Sequence, residues 1–155
     1  MTDTKRYRFR FHGDWLVAAP SSAVYAALAC PEDYPRWWPQ VREVVRTGPD
    51  TGTCRLRSVL PFELRVTVVA TTRDPGAGVL ELALGGDLAG RLRWTLSPWR
   101  GGTRAHYEQD TELRRPFLRR LIRPARPVLT ANHAAMMRAG RRGLRAWLGV
   151  HLDEE

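Results

Sequence analysis

Side chains that could carry acid–base or metal chemistry are few in this sequence and widely spaced. The four histidines stand at positions 12, 106, 133 and 151, and no zinc-protease, serine-hydrolase or phosphate-loop motif is present. Strand alternation places His12 and His106 on outward faces. The spacing therefore predicts no metal site and no cofactor. It leaves His133 as the candidate general base, because an imidazole titrates near neutral pH.

A second group of polar residues occupies positions that the hydrophobic pattern predicts to be inward. Burying such groups costs free energy unless they are hydrogen-bonded, so they either satisfy one another and buried waters or contact a ligand's carbonyl or hydroxyl groups. Gln109 and Asn132 are the strongest candidates for ligand contact, since both fall near the middle of their elements. The whole group comprises Ser58, Tyr107, Gln109, Thr111 and Asn132, with His133 at its edge.

The stretch DYPRWWPQV, residues 33–41, concentrates aromatic side chains in a segment that Pro35 and Pro39 interrupt. A regular strand or long helix is not expected there. Aromatic side chains on such a loop are typical of a binding site, which makes Tyr34, Trp37 and Trp38 candidates for ligand contact. The alternative is that Trp38 simply fills the core.

The elements that must position these residues are mostly strands. Period-two alternation predicts strands with one buried face, and short turn-rich connections predict an antiparallel, curved sheet. A short helical segment, APSSAVYAALACPEDY, follows the first strand and ends at Pro31. The predicted strands cover residues 7–19, 41–47, 54–60, 62–70, 80–84, 92–96 and 103–113.

From Pro116 the hydrophobic period becomes helical. The apolar stripe that it predicts comprises Leu118, Leu121, Ile122, Leu129, Asn132, Ala135, Met136, Ala139, Gly143, Ala146, Trp147 and Val150. Pro124 and Pro127 are expected to separate a short leading helix from a long one that starts near residue 126. The long helix is the available cover for the apolar face of the sheet. Two of its glycines, Gly140 and Gly143, cost helix stability. Gly143 lies on the inward stripe, so the compensation is either close approach of the helix to the sheet or cavity space; the alternative is that the glycines have no role.

Length and composition indicate one globular domain over residues 1–150, with 151–155 as a tail. The N-terminus has no apolar signal-peptide region, and no stretch reaches the length of a membrane span. The two cysteines, Cys30 and Cys54, form no CxxC pair and indicate a reducing compartment. A cytoplasmic protein is therefore expected.

The order of these elements resembles the helix-grip fold of the START-like (SRPBCC) superfamily, in particular its polyketide cyclase/dehydrase and lipid-transport branch. The resembling stretches are APSSAVYAAL, YPRWWPQV, GDLAGRLRWTLSP, GGTRAHYEQD and ANHAAMMRAGRRGL, which together cover nearly the whole chain. The resemblance implies an α+β fold in which a seven-stranded curved antiparallel sheet wraps a long C-terminal helix, with two short helices after the first strand. It also implies an internal cavity between sheet and helix.

The function expected from the resemblance is binding of a hydrophobic small molecule, polyketide- or lipid-like, in that cavity. The alternative is a polyketide cyclase, aromatase or dehydratase acting on a carrier-bound poly-β-keto chain. Related cyclases are thought to use pocket arginines, whereas alternation places Arg55, Arg57, Arg91 and Arg93 outward. The expected ligand-binding residues are Tyr34, Trp37, Trp38, Ser58, Phe62, Leu64, Leu82, Trp94, Tyr107, Gln109, Asn132 and Met136.

The net charge of +9 is unevenly distributed along the chain. Residues 113–155 carry ten arginines against three acidic side chains, all at the extreme C-terminus. A basic outer helix face is either plain solvated surface or a docking face for an acyl carrier protein or an anionic membrane. Nucleic acid is not expected, since no recognised motif accompanies the charge. The face is predicted to comprise Arg119, Arg123, Arg126, Arg138, Arg141 and Arg145.

Overall fold

A computed structural model describes residues 8–57, 63–114 and 122–149, with side chains from residue 126 onward in the last range. Strand β1 is followed by the short helices α1 and α2, which a 3₁₀ turn at Pro31–Asp33 connects, and the long helix α3 comes after six further strands. The bounds are β1 Arg8–Val17, α1 Ser21–Leu28, α2 Tyr34–Trp37, β2 Val41–Arg46, β3 Thr51–Arg57, β4 Glu63–Asp74, β5 Val79–Gly86, β6 Leu88–Trp99, β7 Gly102–Leu113 and α3 Ile122–Trp147.

The seven strands form one antiparallel sheet in the order β1-β7-β6-β5-β4-β3-β2. Strands β2 to β7 are joined in sequence, and only β1 pairs out of sequence, with β7. This arrangement confirms the predicted helix-grip architecture of a curved sheet, a long C-terminal helix and two short helices after the first strand.

The inner face of the sheet is organised in rows of cross-strand neighbours. One row joins Phe11, Gln109, Leu92 and Leu82 across four strands. The next row towards α1 joins Gly13, Tyr107, Trp94 and Leu80. Trp94 and Leu80 are almost completely buried, so this second row belongs to the core.

Helix α3 approaches the aromatic segment closely because two of its residues are glycines. A Cβ at Gly143 would lie 1.6 Å from the carbonyl oxygen of Trp37, and one at Gly140 would lie 2.5 Å from the Trp38 ring. The Trp38 indole also donates a hydrogen bond of 3.0 Å to the Met136 carbonyl of α3. The structure therefore shows close approach, at Gly143 to the backbone of α2 and not to the sheet, and at Gly140 to the rings of Trp38 and of Trp15 in β1.

The predicted break of the C-terminal helix is wrong within the described residues, since α3 runs continuously from Ile122 through Pro127. Pro124 lies in the first turn, where backbone N–H groups have no partner inside the helix. Pro127 removes one further hydrogen bond, and the helix continues past it. The buried face also differs from the predicted stripe. Met137, Gly140 and Leu144 are buried, while Trp147 is exposed.

The predicted basic outer face of α3 is only partly present. Arg126 donates to the carbonyl oxygen of Arg8, and Arg145 donates twice to that of Leu16, so these two arginines bind the edge of β1. Arg138 is exposed, whereas Arg141 is half-buried. Arg119 and the side chain of Arg123 lie outside the described residues.

Candidate functional site

A cavity of about 240 Å³ lies between the inner face of the sheet and α3. Ligand pockets are typically apolar, with a small number of placed polar groups and a volume of roughly 300–1,000 Å³, so this one suits a small ligand. Its wall is mainly aliphatic and aromatic. The apolar lining includes Phe9, Phe11, Tyr34, Trp38, Val41, Val44, Leu56, Leu64, Val66, Val68, Ala70, Leu82, Leu84, Leu88, Leu92, Leu113, Leu129, Met136 and Met137.

Polar side chains from β7 and α3 form a hydrogen-bonded chain in this wall. A ring nitrogen of His133, Nε2, lies 3.0 Å from Oε1 of Gln109, and Nε2 of Gln109 donates to Oγ1 of Thr111 over 3.1 Å. The His133 ring stacks on Phe11 with 3.7 Å between ring centres. Asn132, the preceding residue of α3, also lines the cavity. The polar groups are thus confined to one part of an apolar wall.

The hydrogen-bonded chain fixes the chemical state of His133. The Gln109 amide uses its N–H₂ group towards Thr111, so its oxygen faces His133 and accepts the Nε2 proton. Desolvation lowers the pKa of His133 to about 4, so the imidazole is neutral at pH 7. Its Nδ1 is then an acceptor, and within the described residues no protein group donates to it.

Charged residues gather at one end of the cavity, called the mouth here. They are Glu32 in the 3₁₀ turn, Arg46 of β2, Asp50 in the following turn and Arg73 of β4. Arg46 lies 3.6 Å from Glu32, and Arg73 lies 3.6 Å from Asp50. Exposed residues line the cavity here, so it reaches solvent at the mouth.

The sequence of residues 8–148 matches the family model "Polyketide cyclase / dehydrase and lipid transport". The chain belongs to this family. The match spans the sheet, the short helices and α3, and so includes every cavity residue named above. No curated protein sequence matches the chain significantly.

Solved structures resemble this member of the polyketide cyclase / dehydrase and lipid transport family in fold. The Zhui aromatase/cyclase of Streptomyces sp. R1128 superposes with a TM-score of 0.71 and 18% identity, covering 90% of this chain and 92% of that one. The protein TTHA0849 of Thermus thermophilus gives 0.69 and 16%, covering 89% and 98%. A START superfamily protein of Mycobacterium smegmatis gives 0.62 and 16%, covering 87% and 96%. At such identities the likeness concerns the fold alone.

The structure brings most of the predicted site residues of this family member to the cavity. Ser58 and Phe62 lie outside the described residues. Ligand binding by the predicted residues that line the cavity stays a prediction. The predicted residues that line it are Tyr34, Trp38, Leu64, Leu82, Gln109, Asn132 and Met136, together with His133.

Three predicted ligand-binding residues, Trp37, Trp94 and Tyr107, do not line the cavity. Trp94 and Tyr107 are on the inner face, as predicted, but one row away from Gln109, where they pack on Trp15. Trp37 is buried between Tyr34, Trp38 and the α3 backbone. Trp38 belongs to the core and also lines the cavity, so the two positions considered for it are not exclusive.

Sequence reasoning missed the charged mouth. Arg73 would be outward by simple alternation, but the ladder between β4 and β5 shifts register between Ala70 and Thr72. Arg73 is then the cross-strand partner of Leu80, an inner-face residue. Arg57, expected outward, is exposed and also borders the cavity.

Two statements about membrane spans and metal sites hold for the described residues. Among their helices, none combines the length and apolar character needed to cross a bilayer. Within the same ranges, no three His, Cys, Asp or Glu side chains come together in a way that would hold a metal ion.

Proposed function

We propose that this protein binds an apolar small molecule, polyketide- or lipid-like, between its sheet and α3. The observation that carries the proposal is the cavity of about 240 Å³, whose apolar wall is interrupted by one hydrogen-bonded polar chain. An apolar ligand body would fill the aliphatic part, because burying it removes apolar surface from water. Asn132 and the Gln109 chain would meet a carbonyl or hydroxyl group of the ligand.

Neighbouring residues on β4 offer a matched test of this proposal. Val68 lines the cavity, whereas Val69 lies on the outer face and is 40% exposed. Val68→Phe should fill the cavity and weaken binding of the neutral fluorophore N-phenyl-1-naphthylamine by at least about tenfold, which corresponds to roughly 1.4 kcal/mol. Val69→Phe should leave binding unchanged. Equal affinities for both variants and the wild type would contradict binding in this cavity.

A second candidate function is cyclisation or dehydration of a poly-β-keto chain, and His133 is the observation that favours it. Its neutral imidazole borders the cavity, and Nδ1 is available to accept a proton from a bound substrate. The low pKa of about 4 makes His133 a weak base at neutral pH, so positioning would have to supply much of the rate.

Turnover of a synthetic poly-β-keto thioester separates the two functions. If the protein is a cyclase, the wild type should accelerate product formation over buffer, and His133→Phe should remove that acceleration while N-phenyl-1-naphthylamine still binds. If the protein is a binding module, the thioester should bind and be released unchanged. Product formation that is insensitive to the substitution would exclude His133 as the base.

We also propose that the protein meets an acidic partner, an acyl carrier protein or an anionic membrane, through Arg138 and Arg142. Both are exposed, and the described part of α3 contains no acidic residue that could neutralise them. Charge-steered encounters of this kind weaken as salt screens the attraction. A solvated surface without a partner is the alternative.

A cytoplasmic location is proposed on chemical grounds. Cys30 and Cys54 both carry free thiols, as is usual in a reducing compartment. Separation of cell fractions followed by immunodetection would test this. Recovery from a membrane or extracellular fraction would count against it.

A further inference from the structure

Two arginines at the mouth, Arg46 and Arg73, lie on the inner face of the sheet. Arg46 is the cross-strand partner of Gly52, which shares a face with the cavity-lining Cys54 and Leu56. Arg73 reaches the inner face through the register shift in β4. The two come from strands on either side of β3 and border the same end of the cavity.

The positive charges of Arg46 and Arg73 both affect the pKa of the same group, the carboxylate of Glu32. The hydrogen bond from Cys30 lowers the pKa of Glu32, and the positive charges of Arg46 and Arg73 lower it further. Both guanidinium groups are therefore within electrostatic range of one carboxylate at the cavity opening. An anion at this position would be attracted by two positive charges.

The ion pairs of the mouth are longer than the shortest pairs on the outer face of the sheet, and equal in length to the outer pair of Arg91 and Glu81 at 3.6 Å. Arg46 and Arg73 each lie 3.6 Å from their carboxylates, beyond direct hydrogen bonding. On the outer face, by contrast, Arg8 and Asp110 lie 2.6 Å apart, Arg55 and Glu43 2.6 Å, and Arg104 and Asp14 2.9 Å.

The position of one mouth arginine, Arg46, is nevertheless defined by other contacts. Arg46 donates to the carbonyl oxygens of Gly48 and Pro49 over 3.0 and 2.7 Å. These bonds fix its guanidinium group while the pair with Glu32 stays open. A ligand anion would compete with the carboxylates of Glu32 and Asp50 for the two guanidinium groups.

We infer that the ligand is an anionic amphiphile, whose apolar body fills the cavity and whose carboxylate or phosphate binds Arg46 and Arg73 at the mouth. The inference rests on the proposed binding function and adds the chemical class and orientation of the ligand. Arg57 also borders the cavity, but it continues the outer face of β3 beside Arg55, so it is the less suitable anion partner. The opposite polar group of the ligand, where present, would meet the Gln109 chain.

Three probes with the same alkyl chain test the inference: decanoate, decyl phosphate and decan-1-ol. Their affinities are measured by displacement of N-phenyl-1-naphthylamine from the wild type and from the Arg46→Met/Arg73→Met variant, since methionine keeps an apolar stem without the charge. A charge-assisted hydrogen bond is about twice as strong as a neutral one. We therefore expect the anions to lose roughly tenfold or more in affinity, and decan-1-ol to change less than about twofold.

The matched control replaces two exposed arginines of the same strands, as Arg42→Met/Arg65→Met, and should affect none of the probes. A larger loss for decanoate would identify a carboxylate ligand, and a larger loss for decyl phosphate a phosphate ligand. Both outcomes support the inference.

Three outcomes would overturn the inference. Equal behaviour of anions and alcohol in the mouth variant would refute it while the binding function stands. Loss of anion affinity in Arg57→Met instead of the mouth variant would refute the assigned position. Failure of all three probes to displace the bound fluorophore from the wild type would refute the inference, whereas failure of the fluorophore itself to bind would refute cavity binding.

Discussion

Replacing Gly143 by alanine should separate α3 from α2 and destabilise the fold. The added Cβ would lie 1.6 Å from the carbonyl oxygen of Trp37, where ordinary contact begins at 3.4 Å. The two groups would have to move apart by about 1.8 Å. The obstacle is backbone, so no change of side-chain rotamer relieves it.

The cost can be estimated from three contributions. Overpacking of this kind costs typically 1–3 kcal/mol, and more where the structure cannot yield. The movement would also stretch the 3.0 Å hydrogen bond from Trp38 to the Met136 carbonyl, for about 1 kcal/mol. Against these, alanine is better than glycine in a helix by about 1 kcal/mol. The net loss should be about 1–3 kcal/mol, or a fall in Tm of roughly 2–12 °C for a chain of this size.

Urea unfolding followed by tryptophan fluorescence measures this loss. Ala146→Gly, at an exposed position of the same helix, is the matched control, because it reports the glycine–alanine difference of α3 without a steric conflict. It should cost about 1 kcal/mol. A Gly143→Ala protein as stable as the wild type, or more stable, would refute the close approach described for α3.

The remaining predictions concern pH, packing and charge. The pKa of His133 is lowered to about 4 from 6.5, so between these pH values the unfolded state binds more protons than the folded state. The free energy of unfolding should therefore rise with pH across this window by up to about 3 kcal/mol. Urea titrations at several pH values measure the rise, and His133→Phe should flatten it. Trp38→Phe should lower the free energy of unfolding by about 1–2 kcal/mol through loss of its hydrogen bond to α3, while the same change at the exposed Trp147 should be neutral. Arg138→Glu/Arg142→Glu should weaken binding to an acyl carrier protein or to phosphatidylglycerol vesicles at low salt. An affinity that changes neither with salt concentration nor with the substitution would show that these arginines are solvated surface residues without a partner.

Period-two alternation is sufficient to predict the sheet and the face of strand residues where the pairing is regular. Leu82 and Gln109 line the cavity because they share a row with Leu92 and Phe11. Alternation does not give depth along the strand, so it could not place Trp94 and Tyr107 in the row that packs on Trp15. Both face inward one row closer to α1, where there is no cavity.

The details of α3 and of the mouth depend on interactions that local pattern does not contain. Gly140 and Gly143 face the aromatic segment because Trp37 and Trp38 approach there, and this rotates the buried face away from the predicted stripe. Arg73 turns inward because one irregularity in β4 reverses the alternation. Such an irregularity is set by pairing between strands and carries no mark in the sequence of either one.

The pairing of β1 with β7 bears on the order in which the chain can fold. Arg8 and its ion-pair partner Asp110 are 102 residues apart in the sequence, whereas the strands from β2 to β7 pair with their immediate successors. Contacts between residues far apart in the sequence form slowly, because closing the long loop between them costs conformational entropy before the contacts can stabilise the fold. During translation β1 is synthesised before β7, so Phe9, Phe11 and Trp15 stay exposed until β7 is available for pairing. This strand is therefore the segment most in need of chaperone protection during translation.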